Sequence, residues 1–287
     1  MSVVERAINK LRSKERQPDG NAAAATAPTS PAASSSVALP SVNAAATGDR
    51  RPKQSLTVDW ERLAAEHMVA PESQRRMVED EFRRVKRKLL DSPPTPGALA
   101  AREVLITSSV PAEGKTFTSL NLALSFAQER DGGALLLDCD LARPRLSALF
   151  GVRKNPGLTD VLLDPSLDPL DVVFETDIRG FWFMPAGRLV GSAPELLASS
   201  RMREVRERIA AADPGRVMLF DSPPILASNE AQALTQMIDR VLMVVRAGST
   251  SPDTLKAALA VIGESREFDC VFNGVQRIGG KTYYDYY

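Results

Sequence analysis

The chain has 287 residues, enough for one sizeable α/β domain with added segments and too few for two independent catalytic domains. Lys plus Arg and Asp plus Glu each number 36, so no global charge excess points to nucleic acid, and any electrostatic function must be local. No stretch approaches the roughly 20 apolar residues that cross a bilayer, and the N-terminus lacks a signal peptide's apolar region, so the chain reads as soluble or recruited to a membrane by something else.

Residues 1–16 carry Val4, Ile8 and Leu11 at helical spacing, with Lys10, Arg12, Lys14 and Arg16 around them. The pattern predicts a short amphipathic helix, suited to anionic lipid or a partner, or else a frayed helix on a tail. Residues 17–55 are dominated by Ala, Pro, Ser, Thr and Asn and read as a disordered linker, because they cannot bury enough apolar surface to offset the entropy of ordering. Residues 56–97 form a helical segment whose main helix is expected at 72–90, with a strongly basic surface, ahead of the Pro93, Pro94, Pro96 and Gly97 cluster.

From 98 to 276 short apolar strands alternate with longer helical segments, the pattern of a mostly parallel α/β sheet with helices on both faces. Strands are expected at 103–107, 134–138, 181–185, 217–221, 240–245 and 269–273. Right-handed crossovers place their C-terminal ends on one edge, where a ligand binds. The cysteines, Cys139 and Cys270, fall within the apolar runs and read as buried free thiols of a reducing, cytosolic compartment.

Residues 104–116 read VLITSSVPAEGKT: an apolar strand, a small-residue turn, and Gly-Lys-Thr opening a helix expected to run to about 128. This is the context of a P-loop. Backbone N–H groups from Ser109, Pro111, Ala112, Glu113 and Gly114 through Phe117 surround the phosphates (Pro111 lends shape only), Lys115 adds positive charge, and the Thr116 hydroxyl binds Mg²⁺. A strict P-loop has Gly where Ser109 stands, and a plain glycine turn with an exposed lysine is the alternative. Two further strands end in carboxylates: LLLDCD brings Asp138 and Asp140 to the sheet edge, and VMLFDSPP brings Asp221. Each could merely cap a following helix; three beside a P-loop are better explained by Mg²⁺ bridging ATP phosphates. Arg143 and Arg145 follow and can meet phosphate charge.

All four tyrosines, Tyr283, Tyr284, Tyr286 and Tyr287, lie in the final segment 277–287, after Gly279 and Gly280. Such a tail reads as mobile, either an aromatic anchor for a partner or, beside an ATP site, a set of phosphoacceptors.

With SSVPAEGKT, LLLDCDLARP, VMLFDSPP, EFRRVKR and YYDYY in hand, the chain resembles a bacterial tyrosine autokinase of the polysaccharide-biosynthesis type, most similar to the exosortase-associated branch, over residues 70–287. The resemblance implies a P-loop NTPase fold related to MinD and ParA, unlike eukaryotic protein kinases. It implies that Lys115 binds the β- and γ-phosphates, Thr116 and Asp140 hold or orient Mg²⁺, Asp221 acts through a metal-bound water, and Asp138 or Asp140 helps deprotonate tyrosine. Asn273 matches the position near the nucleotide base. Glu81, Arg84 and Arg87, at three-residue spacing, would build a homo-oligomeric ring in which tails are phosphorylated in trans. The implied setting is exopolysaccharide biosynthesis and export, cytoplasmic and peripheral at the inner membrane, with a separate polysaccharide co-polymerase as activator and a tyrosine phosphatase as counterpart. Two departures stand out: Ala112 replaces the usual Gly, and Ala142, followed by Arg143, replaces the usual Arg.

Two other functions fit parts of the pattern: a positioning ATPase of the MinD type without kinase activity, and a quiet assembly module that has lost nucleotide. The basic run 75–88 reads as a solvated face or an assembly surface, with Glu81 and Arg84 as an i,i+3 pair. His67, the only histidine, has no second ligand type nearby.

Overall fold

A computed structural model describes residues 51–91, 102–130, 132–238, 240–263 and 266–275. The expected helix at 1–16, residues 17–50 of the linker, and the tyrosine tail lie outside these.

The strands are β1 (Gln54–Leu56), β2 (Glu103–Ser108), β3 (Gly133–Asp138), β4 (Phe174–Thr176), β5 (Phe181–Met184), β6 (Arg216–Asp221), β7 (Arg240–Arg246) and β8 (Glu267–Asn273). They form one eight-stranded sheet in the order β1-β4-β5-β3-β6-β2-β7-β8. Every pairing is parallel except β4 with β5. The interleaved helices are α1 (Trp60–Ala65), α2 (Glu72–Asp91), α3 (Lys115–Ala127), α4 (Arg145–Leu149), α5 (Leu158–Leu163), α6 (Ala193–Leu197), α7 (Ser200–Ala212), α8 (Asn229–Thr235) and α9 (Pro252–Ile262), with a 3₁₀ turn at Pro169–Asp171.

Central strands read as continuous apolar runs because both faces are covered. Leu135, Leu136 and Leu137 of β3 are fully buried, as are Met218, Leu219 and Phe220 of β6. From β2 the chain crosses to β3 on one side and later returns to β7 on the other, so the loop after β2 opens at the point where the strand order reverses. Ligands of open parallel sheets bind there.

Helix α3 is almost wholly buried between the sheet and α2. Helix α2 presents Val78, Phe82, Val85 and Leu89 at helical spacing to that contact, and Phe82 meets Phe117 of α3 with ring centroids 6.0 Å apart. Lys86 tethers the pair: its Nζ donates to the Ser125 carbonyl at 2.9 Å and lies 2.5 Å from Glu129. At the C-terminal end of α2, Arg102 donates to the Leu89 and Leu90 carbonyls, both at 2.8 Å, satisfying acceptors a helix end leaves open.

All six expected strands are present, each within two residues of its expected ends. Two more were not foreseen. β1 takes Gln54 and Ser55 out of the expected linker, and β4 joins it to the sheet; three-residue strands carry too little periodicity to be read alone. Cys139 is buried just past β3 as expected, but Cys270 is only partly buried, because β8 is a sheet edge. Glu81, Arg84 and Arg87 all lie exposed on α2. Among the described residues Glu81 and Arg84 form no ion pair, whereas Arg83 pairs with Asp80 at 2.6 Å. No described helix is long and apolar enough to cross a membrane.

Candidate active site

The loop after β2 turns through two left-handed residues, Ala112 at φ +66° and Gly114 at φ +96°. Gly114 N-caps α3 without a side-chain cap. The first amides of α3 therefore have no intrahelical acceptor and face the sheet edge with the positive end of the helix dipole, an arrangement suited to phosphate. A Cβ on Gly114 would lie 1.8 Å from the Asn273 amide nitrogen, so this position requires glycine for space as well as for φ.

The loop is braced from inside. The Glu113 carboxylate is buried and accepts the Val110 N–H at 2.8 Å, the Arg246 N–H at 3.5 Å and the Thr250 hydroxyl. The Glu113 carbonyl accepts from Asn273 Nδ2 at 3.0 Å. These contacts show what the side chains of three expected nucleotide-binding positions do. The Glu113 side chain is committed to the loop's own frame, leaving only its main chain for nucleotide. The Asn273 amide is spent on the loop backbone and holds the P-loop to β8. The Phe117 ring packs into the α2 contact, so only its main chain can face phosphate. Ser109, standing where glycine was expected, is fully buried with its hydroxyl 3.9 Å from Met243 Sδ on β7. Its side chain points into the sheet layer, which is why the departure from glycine is tolerated. Pro111 and Ala112 are exposed.

Lys115 begins α3, and its Nζ lies 3.4 Å from Asp140 Oδ2. Asp138 and Asp221 end β3 and β6 as register partners. Asp221 accepts the Ser119 hydroxyl at 2.8 Å. Burial raises its pKa, although Lys115 and hydrogen bonds from Ser119 and Thr116 oppose the rise. Asp138 is fully buried; its Oδ2 accepts both the N–H and the hydroxyl of Ser147, each at 2.7 Å. Burial first, and the Asp221 charge second, push it up to about 7. Its Oδ1 has no hydrogen-bond partner among the described residues. Burial also drives the Cys139 thiol well above its ordinary value, which removes it as a nucleophile. Arg143 donates its N–H to Asp140 Oδ1 at 3.1 Å and is exposed, as is Arg145, which lies 3.7 Å from Glu66.

The structure thus brings Lys115, Thr116, Asp138, Asp140 and Asp221 to one edge. Among the described residues, however, no three acidic, histidine or cysteine side chains form a ready ligand cluster. Ser147 holds Asp138, Ser119 holds Asp221, and Asp140 leans toward Lys115. Mg²⁺ usually keeps several waters and takes substrate phosphate oxygens, needing only one or two protein ligands. Thr116 beside Asp221 meets that requirement, and the orphaned Oδ1 of Asp138 is a buried acceptor awaiting a proton or a cation. Ser119 was within reach of sequence reasoning, one helical turn after Lys115. Ser147 carried no local signal.

No family model matches the chain. The tyrosine-protein kinase YwqD of Bacillus subtilis (strain 168) is 34% identical over 190 residues, covering 65% of this chain and 77% of YwqD. Several other curated tyrosine-protein kinases are much longer, and the chain spans between 18% and 22% of them. Among solved structures, the chimerical protein CapA2B2 superposes with a TM-score of 0.62 at 21% identity, over 79% of this chain and 96% of that one, a likeness of fold. The VpsO kinase domain gives a TM-score of 0.58 at 27% identity, over 70% of this chain and 97% of that domain.

Proposed function

The chain belongs to the bacterial tyrosine-protein kinase family, and we propose that it transfers the γ-phosphate of ATP to Tyr283, Tyr284, Tyr286 and Tyr287 of a neighbouring copy. The observation that carries the reading is the make-up of one sheet edge: the P-loop with Lys115 Nζ 3.4 Å from Asp140, and beside it the buried Asp138 carboxylate, whose Oδ1 has no partner among the described residues. Burial pushes the Asp138 carboxyl up, the direction that suits a general base working near neutral pH.

In this reading Lys115 and the first amides of α3 bind and neutralise the β- and γ-phosphates. Thr116, with Asp140 and Asp221, holds or orients Mg²⁺, which when bound supplies charge neutralisation at those phosphates. Asp138 takes the proton of the tyrosine hydroxyl as its oxygen bonds to the γ-phosphorus. The bond between that phosphorus and the β–γ bridging oxygen breaks, and ADP leaves with the electron pair. Positioning and charge supply most of the rate enhancement, because the transition state is loose. Ser147 sets the carboxylate's direction through its paired hydrogen bonds. Arg143 meets phosphate charge from outside, and Ala112 shapes the loop without adding a contact.

Glu81, Arg84 and Arg87, exposed along α2, are the proposed contacts of a homo-oligomeric ring. Motif resemblance supports a role in exopolysaccharide biosynthesis and export, with a separate inner-membrane co-polymerase as activator, a tyrosine phosphatase as counterpart, and a cytoplasmic position at the membrane through that partner. The test is incubation with Mg-ATP and mass spectrometry of the C-terminal peptide. A chain that turns over ATP with its tail deleted as before, and never carries phosphotyrosine, would instead be a positioning ATPase.

A further inference from the structure

Beside the catalytic edge lies a second cavity, of about 480 Å³, that the kinase reading does not use. Four cations line it: Arg62 of α1, Arg153 and Lys154 from the loop after α4, and Arg188 from the loop after β5. Among the described residues only one of the four is neutralised, Arg188, which pairs with Asp160 at 3.2 Å. Arg153 and Lys154 are exposed and make no ion pair. Such an accumulation of like charge gives this hollow a local positive potential that favours an anion.

The cavity is built rather than incidental. Asp160 accepts the Arg188 N–H at 3.2 Å and the Gly157 N–H at 2.9 Å, and Thr159 donates its hydroxyl to the Arg188 carbonyl at 2.8 Å. Gly187 sits between these groups at φ +85°, where a Cβ would come within 2.5 Å of both Thr159 and Asp160 side-chain oxygens. The Arg62 guanidinium approaches to 4.0 Å of the Cβ position of Gly151. Helix α4 separates the cavity from the active site: Pro144 and Ala148 line the cavity, while Ser147 holds Asp138.

We propose that this cavity binds a phosphotyrosine of the tail of a second copy, so that a phosphate already added holds the tail while another tyrosine is phosphorylated. The inference rests on the kinase reading for its ligand. Each phosphate adds close to two negative charges and three acceptor oxygens, which suit paired Arg and Lys donors. The tail must reach across helix α4. A helix with its side chains is about 10 Å across, and residues three or four apart in an extended peptide are separated by about 10–14 Å. Tyr283 and Tyr284 stand at that spacing from Tyr287, with Asp285 between them adding charge of the same sign.

The test uses phosphatase-treated full chain without ATP and a fluorescent peptide of residues 279–287, either unphosphorylated or phosphorylated on Tyr287. Anisotropy should show the phosphopeptide binding at least ten-fold tighter, with Arg153→Ala/Lys154→Ala removing that preference and Arg62→Gln weakening it. With Mg-ATP added, the double variant should form singly phosphorylated tails at the wild-type rate but fail to accumulate multiply phosphorylated ones. Equal affinity for both peptides, an unaffected double variant, or capture of phosphatidylglycerol vesicles that the phosphopeptide cannot displace would overturn the proposal. Failure of the kinase reading looks different: no phosphate would appear on any tail, whatever the binding result.

Discussion

Asp138 and Asp221 face each other as register partners at the ends of β3 and β6, and the charge of the second helps hold the first near pKa 7. The chain therefore maintains a buried carboxyl at a cost to its own stability. Because the folded pKa lies above the ordinary value of 3.8, the protonated group contributes fully below about pH 4, and that contribution is lost as pH rises through 7. Asp138→Asn should remove the penalty. Without nucleotide or Mg²⁺, its stability gain should be near zero at pH 4, grow with pH, and level off above 7 at on the order of 4 kcal/mol, about 8–16 °C in Tm. Thermal unfolding of both proteins from pH 4 to 8 checks the slope. Tyrosine phosphorylation by the variant should fall at least a hundred-fold.

Gly114 and Asn273 occupy each other's space. Gly114→Ala forces a methyl group into the Asn273 amide and places alanine at φ +96°, so ATP affinity should fall at least ten-fold. Gly114→Ala/Asn273→Ala removes the clash while keeping the backbone strain, and should recover part of the loss. Isothermal titration with ATP across this double-mutant cycle measures the coupling. An additive outcome would show that the two residues do not contend for the same volume.

Ala112 at φ +66° carries strain that glycine would not. Left-handed alanine costs about 1–2 kcal/mol, partly offset by the greater chain entropy glycine loses on folding. Ala112→Gly should raise stability by about 0.5–1 kcal/mol, read as a shifted denaturation midpoint at constant slope, and should leave ATP affinity equal or better. Weaker binding would mean that the Ala112 methyl group itself supports the loop.

Much of this arrangement was legible in the amino-acid sequence, for definite reasons. Residues 104–116 combine a continuous apolar strand with a glycine turn and a helix start, and that combination has few other uses. The strands ending in Asp138 and Asp221 were readable because central parallel strands are apolar on both faces. What escaped depends on contacts between distant residues. Ser147 meets Asp138 only because α4 folds back over the end of β3, and Glu113 meets Thr250 across 137 positions. Motif matching placed Asn273, Glu113 and Phe117 at the ligand edge but carried no sign that their side chains brace the loop and the core. β1 and β4 were invisible for a simpler reason: three-residue strands exist only through their neighbours.

In the proposed function this P-loop feeds phosphate to the tyrosine tail. Mass spectrometry of the C-terminal peptide after incubation of the purified chain with Mg-ATP, alongside Lys115→Met, addresses it most directly. Phosphate should appear on Tyr283, Tyr284, Tyr286 or Tyr287 in the wild-type chain and be lost at least a hundred-fold in the variant. A tail that stays unmodified while the wild-type chain binds and hydrolyses ATP, even with the membrane activator supplied, would mark the chain as an ATPase that does not phosphorylate itself.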